Sequence, residues 1–168
     1  MPPTVIKARR TEDIEIARAL VWEFFDHLRI RYTDMLEIID TYLEEQDVAG
    51  QLINFNTFFL PPAGECLLAT IDDVPVGLVM LRPHGENDGE INRMYVRDTA
   101  RGLGLGRALG VAIIDEARTL GYKTLWLDGL NRHVEALPLY ESLGFEYYTD
   151  SNAFGGDDER VIHMRLAL

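Results

Sequence analysis

Glu90-Ile-Asn-Arg-Met-Tyr-Val-Arg-Asp-Thr-Ala-Arg-Gly-Leu-Gly-Leu-Gly-Arg-Ala-Leu109 is the stretch on which the reading of this chain turns. Glu90 to Val96 ends in Met-Tyr-Val and reads as a strand, and Arg97 to Ala100 as a polar turn. Three glycines then alternate at Gly102, Gly104 and Gly106, between Arg101 and Arg107. From Leu105, apolar residues recur at Leu109, Ala112 and Ile113, which is helical spacing. A strand that passes through a glycine-rich turn into a helix offers unpaired backbone N–H groups at the positive end of the helix dipole. It is an anion site built from main chain.

Two familiar phosphate sites do not fit. The nucleotide loop Gly-x-x-x-x-Gly-Lys-Ser/Thr needs a lysine that does not follow these glycines. A dinucleotide fingerprint, Gly-x-Gly-x-x-Gly, opens its sheet, whereas Gly104-x-Gly106 comes after three predicted strands and is followed by Leu109, with Gly110 one place late.

Working outward, the 168 residues suit one domain, which at this size buries roughly 70% of its unfolded surface. Sixteen basic against 28 acidic residues give a net charge of −12, which argues against a nucleic-acid partner. The single cysteine, Cys66, excludes an internal disulfide and a multi-cysteine metal site, and its apolar strand setting makes it a core residue. No apolar run is long enough to span a membrane and Met-Pro-Pro-Thr lacks signal-peptide character, so the expected compartment is the cytoplasm, with no membrane partner.

Thr4 to Arg9 reads as a first strand. Thr11-Glu12-Asp13 starts a helix whose stripe is Ile14, Ala17, Leu20, Val21, Phe24 and Leu28. A second helix is predicted from Asp34 to somewhere between Gly50 and Asn56. Phe55, Phe58 and Phe59 then precede the breaker Pro61-Pro62-Ala-Gly64. Strands follow at Glu65–Ile71 and Val74–Arg82, then a polar loop from Pro83 to Gly89 and the opening stretch, its helix stopping at Gly121. Lys123–Asp128 is a strand, and Val134–Leu143 a short helix that accommodates Pro138 only in its first turn. Phe145–Tyr148 and Arg160–Leu166 complete the strands. The order β-α-α-β-β-β-α-β-α-β-β predicts an α/β (α+β) domain. The helix between strands 90–96 and 123–128 makes that pair parallel, while the hairpin at 65–82 is antiparallel.

Arg101-x-x-Gly104-x-Gly106 after Met94-Tyr95-Val96 resembles the acyl-CoA signature of the GNAT superfamily of N-acetyltransferases. Leu139-Tyr140-Glu-Ser-Leu-Gly144-Phe145 resembles that family's second signature, and the likeness covers roughly residues 65–150. It implies a single domain over 1–168, with a mixed, mostly antiparallel sheet of about seven strands, flanking helices and a splayed central strand pair. Residues 11–60 would form the acceptor side and 65–150 the acyl-CoA core. The implied activity is transfer of acetyl from acetyl-CoA to a primary amine, without metal; the alternative is an acyl-CoA-binding module without turnover.

The resemblance also implies roles. The amides of Arg101, Gly102, Leu103, Gly104, Leu105, Gly106 and Arg107 would hold the CoA pyrophosphate. The backbone of Met94, Tyr95 and Val96 would pair with the pantetheine arm, and an N–H near Val96 would polarise the thioester carbonyl. Tyr140 corresponds to the tyrosine that protonates the leaving sulfur. Glu90 stands where many members carry a carboxylate and is a candidate base, with His84 and Glu86 in reserve. His133 occupies the place where an asparagine often contacts pantetheine, with Asn131 two residues earlier. The acceptor, a small-molecule or protein amine, and self-association into a homodimer stay open. Aromatics Tyr32, Tyr42, Phe55, Phe58 and Phe59 and acids such as Asp34, Glu37 and Asp40 lie on the acceptor side.

Overall fold

The computed structural model describes residues 3–132 and 136–168. A seven-stranded sheet runs through the molecule in the order β1-β2-β3-β4-β5-β7-β6: β1 Thr4–Lys7, β2 Glu65–Ile71, β3 Val74–His84, β4 Asp88–Val96, β5 Thr124–Leu130, β6 Glu146–Tyr148 and β7 Val161–Ala167. Every neighbouring pair is antiparallel except β4 and β5. This is the expected mixed sheet. The loop expected over 83–89 is shorter, because β3 continues to His84 and β4 begins at Asp88, pairing His84 with Asp88 and Pro83 with Gly89.

Helices cover both faces. On one lie α1 (Thr11–Arg31), α2 (Leu36–Glu45), α3 (Val48–Ile53) and α4 (Phe55–Phe59); on the other, α5 (Leu105–Thr119) and α6 (Ala136–Ser142). The start of α1 is fixed by Asp13, whose carboxylate turns back to accept the N–H groups of Arg9 at 3.3 Å and Arg10 at 3.2 Å. The single second helix predicted from Asp34 is instead two, α2 and α3, after a 3₁₀ turn over Thr33–Met35. Asp47 sits at φ 47° and its side chain accepts from the N–H of Gly50, which ends one helix and starts the next. The Phe55 to Phe59 run is helical too, its i,i+4 pair buried with rings 5.4 Å apart. Pro138 falls in the first turn of α6, where a missing N–H costs nothing.

Two cores result. Leu20, Val21, Phe25, Phe55 and Leu68 belong to one; Leu109, Ile113, Ala117 and Leu125 belong to the other. Alternation along the strands sorts side chains between them, with a register shift between β2 and β3 at Ala69 and Thr70 and a second between β3 and β4. Met80 pairs with Asn92 but Leu78 pairs with Tyr95, so two residues of β4, Arg93 and Met94, stand opposite Val79. This is a β-bulge, and Arg93 adopts φ 55° within it.

Candidate active site

β4 and β5 share a parallel ladder of only two pairs, Gly89 with Leu125 and Glu90 with Trp126. Beyond them β4 pairs with β3 alone and β5 with β7 alone. The strands therefore part after Glu90, ahead of the bulge, and one edge of β4 is open from Ile91 onward. The cleft so formed is lined by Ile91 to Met94 from β4, Leu127 to Leu130 from β5, and Ala136, Leu137 and Tyr140 from α6. Phe24, Phe25, Tyr42 and Phe154 close its far wall.

The glycine loop lies past the end of β4, where Val96 is followed by a 3₁₀ turn over Asp98–Ala100. Gly102 has φ 80° and Gly104 φ 78°, a left-handed backbone that only glycine adopts freely, and Gly104 caps α5. The first N–H groups of α5 have no partner within the helix and point out of its N-terminus. Gly106, in the first turn of α5, packs towards Leu139 of α6. The flanking arginines brace this loop. Arg101 Nε donates to Val96 O at 3.2 Å and its guanidinium meets Asp98 at 3.0 Å, while Arg107 reaches Ser142 Oγ at 3.1 Å. Leu103 is exposed at the loop tip.

Tyr140 is 8% exposed, packs edge-on to Phe145 with centroids 5.8 Å apart, and lines the cleft. Burial pushes its phenol above the ordinary value, so it keeps its proton at neutral pH. Met94 lines the cleft as well. Tyr95 contributes backbone only: its ring faces α1 and its hydroxyl donates to Glu23 at 2.8 Å.

Glu90 lies where β4 and β5 are still paired, opposite Trp126 and one residue short of the cleft lining. Its carboxylate accepts from Asn92 at 2.9 Å and Arg82 at 3.1 Å, and lies 3.3 Å from His84 Nδ1. Burial alone would push its pKa up, but the contacts to His84, Arg82 and Asn92 outweigh it and hold the group below the usual carboxylate value. His84 is raised in return, chiefly through its bond to Glu90.

A second carboxylate, Asp128, went unremarked in the sequence except as the end of a strand. It lines the cleft, and burial lifts its pKa despite the opposing bond from His163, whose Nδ1 lies 2.6 Å away. Asp128 and His163 are cross-strand partners on β5 and β7. The only sequence signal was a polar residue closing the apolar run Leu125-Trp-Leu127. Cys66 is wholly buried and its thiol is pushed up by that burial, out of reach of the cleft chemistry. His133 lies outside the described residues. Among the described residues no three His, Cys, Asp or Glu converge to hold a metal ion, and no helix is long and apolar enough to cross a membrane.

The family model of the acetyltransferase (GNAT) family matches residues 16–145. An uncharacterized N-acetyltransferase of Schizosaccharomyces pombe is 30% identical over 161 residues, 95% of this chain and 98% of that protein. The N-acetylaspartate synthetase of Homo sapiens is 33% identical over 144 residues, 84% of this chain but 45% of that longer protein. Among solved structures, a GNAT-family acetyltransferase of Staphylococcus aureus superposes with a TM-score of 0.72 at 18% identity, 99% of each chain covered. The PaiA N-acetyltransferase of Thermoplasma acidophilum, in complex with coenzyme A, gives 0.71 at 16% identity over the whole of both chains. With its splayed parallel pair and glycine loop set in this same fold, the chain belongs to the GNAT family of acyl-CoA-dependent N-acetyltransferases.

Proposed function

We propose that the chain moves the acetyl group of acetyl-CoA directly onto a primary amine held in the cleft between β4 and β5. The observation that carries this reading is the parting of the two strands, with a left-handed glycine cradle at one end and Tyr140 and Asp128 on the walls between. The amides of Arg101 to Arg107 would hold the pyrophosphate, and the open edge of β4 at Met94 to Val96 would pair with the pantetheine amides as an added strand. Arg101 and Arg107, already bonded to Val96 and Ser142, shape that cradle. Residues 65–150 form the acyl-CoA core and residues 11–60 the acceptor wall.

In the reaction an N–C bond forms and the C–S bond breaks, and two proton movements must be served. An ammonium cannot attack, so a base must take its proton. We assign this to Asp128. Its raised pKa makes it a stronger base than Glu90, His163 holds one of its oxygens, and it lines the cavity where Glu90 does not. Glu90, placed first by its position in the signature strand, is the weaker base because its contacts hold it ionised. In this reading it fixes Asn92, which lines the cleft, and any proton it receives travels through water. Tyr140 donates to the departing sulfur.

The human relative named N-acetylaspartate synthetase supports an amine acceptor. An acyl-CoA-binding module without turnover would need the cradle but has no use for a protonated tyrosine and a basic carboxylate facing each other across a cleft. The test is thiol release from acetyl-CoA over a panel of amines, alongside thermal shifts with acetyl-CoA, CoA and NAD. Amine-dependent release is expected. Stabilisation by acetyl-CoA without release for any amine would favour the binding module, and stabilisation by NAD alone would overturn the acyl-CoA assignment.

A further inference from the structure

Arg93 is the charged residue of the cleft that the transfer chemistry leaves unused. It is 7% exposed, and both terminal nitrogens of its guanidinium are buried without a hydrogen-bond acceptor. The group stacks between two rings, 5.8 Å from the centroid of Phe25 and 5.7 Å from that of Tyr42. Rings stabilise the charge, but they do not accept five directional N–H bonds, and a buried guanidinium left so is rare unless something else completes it. Neighbouring acids are already engaged: Glu90 by Arg82, His84 and Asn92, and Asp128 by His163. The backbone bearing Arg93 is held at φ 55°, a conformation unfavourable for this residue type and one that clusters at ligand sites.

The bulge turns Arg93 toward α1 and α2, whereas α5 and α6, which carry the CoA cradle and Tyr140, pack on the other face. The missing partner therefore belongs to the acceptor and not to the acyl donor. A planar fork with two open nitrogens fits a carboxylate, which it can bind through two parallel bonds. Phe24, Phe25, Tyr42 and Phe154 wall the cavity it lines, a setting that suits a compact body.

Building on the acetyl-transfer reading, we propose that the acceptor is a small amine that itself carries a carboxylate, an amino acid in the broad sense, and that Arg93 is the residue that selects it. The carboxylate docks on the Arg93 fork, and the same molecule's ammonium is drawn to Asp128 across the cleft. One negative and one positive site on opposing strands thus orient the amine toward the open edge of β4.

The test compares free amino acids with their methyl esters as acceptors for the wild-type protein and for Arg93→Met, by thiol release at fixed acetyl-CoA. The wild-type protein should favour the acid over its ester by on the order of 100-fold in kcat/KM, the loss expected when one partner of a buried charge pair is removed. Arg93→Met should bring that ratio to within a few-fold of unity, while acetyl-CoA raises its melting temperature as it does the wild type. Should Arg93→Met fail to fold, Arg93→Lys, which keeps the charge and loses the fork, should narrow the ratio without abolishing it. Equal use of acid and ester by the wild type, an unchanged ratio in the variants, or preference for phosphoethanolamine over every amino acid would each overturn the assignment. Calorimetric titration of the CoA complex with the amino acids separates this proposal from the one it rests on. Binding that depends on Arg93 without any turnover would uphold the carboxylate site and sink the transferase reading; turnover indifferent to the carboxylate would do the reverse.

Discussion

Replacing Tyr140 by Phe removes one oxygen and keeps the ring against Phe145, so packing is preserved. What is lost can be sized. Burial holds the phenol above its ordinary value of about 10, while an ordinary thiol releases its proton near about 8.5. Full proton transfer from the phenol to a thiolate therefore runs uphill, and the hydroxyl acts mainly by donating a hydrogen bond to charge developing on sulfur. Such a bond to a charged group is worth about 1.5–3 kcal/mol. At about 1.4 kcal/mol per decade, Tyr140→Phe should lose roughly 10- to 150-fold in kcat. Affinity for acetyl-CoA should not move, because the bond forms only as the C–S bond breaks. Steady-state thiol release with saturating amine gives the first quantity and calorimetric titration with acetyl-CoA the second. A loss below about threefold would remove Tyr140 from the chemistry. A loss beyond about 10⁴-fold with binding intact would mean that the proton itself passes in the transition state, refuting the hydrogen-bond argument.

Asp128→Asn should lower kcat/KM by about 10²–10⁴-fold. The wild-type profile should rise as pH passes through a carboxyl pKa above the usual range, the deprotonated form being the base, and that limb should vanish in the variant. Gly104→Ala places a side chain at φ 78° and should cost about 1–2 kcal/mol of stability, with weaker acetyl-CoA binding. Gly121→Ala, at φ 86° beyond the far end of α5, should lose comparable stability with binding unchanged; equal weakening of binding in both would deny the loop a role as cradle. Asp13→Ala should destabilise the fold by about 1 kcal/mol at neutral pH, measured by denaturant unfolding. The Arg10 contact depresses the Asp13 carboxyl, so this contribution is complete above the unfolded value near about 4 and fades as pH falls through the lower folded one; a difference that grew on acidification would contradict it.

The parts of the site legible in the sequence are those whose signal is local. Glycines at 102 and 104 announce a left-handed turn whatever surrounds them, and the helix after them reads from its own spacing. The family resemblance added Tyr140 and the parting of strands 90–96 and 123–128, which the two-pair ladder matches. Three things escaped. The Asp128–His163 pair joins residues 35 positions apart on strands whose neighbourhood no short window reveals. The helix from Asp34 reads as continuous because Asp47 carries no glycine to mark its left-handed turn. Arg93 escaped because alternation predicts faces only while a strand stays in register, and the bulge shifts that parity in mid-strand.

That bulge has a consequence for how this protein can change. Asn92 and Tyr95 face the same core side as they would in an unbroken strand one residue shorter, for Met80 pairs with the first and Leu78 with the second. The additional position is thus surplus to the ladder, while its side chain packs on Phe25 and Tyr42 at the edge of one core. The ladder pairs on either side of it, Met80 with Asn92 and Leu78 with Tyr95, involve other residues, and the glycine loop and α6 pack on the opposite face. If Arg93 reads the acceptor, an inserted residue has separated that task from the face that carries the glycine loop and Tyr140, so acceptor choice can change while the acyl-donor side of the fold stays as it is.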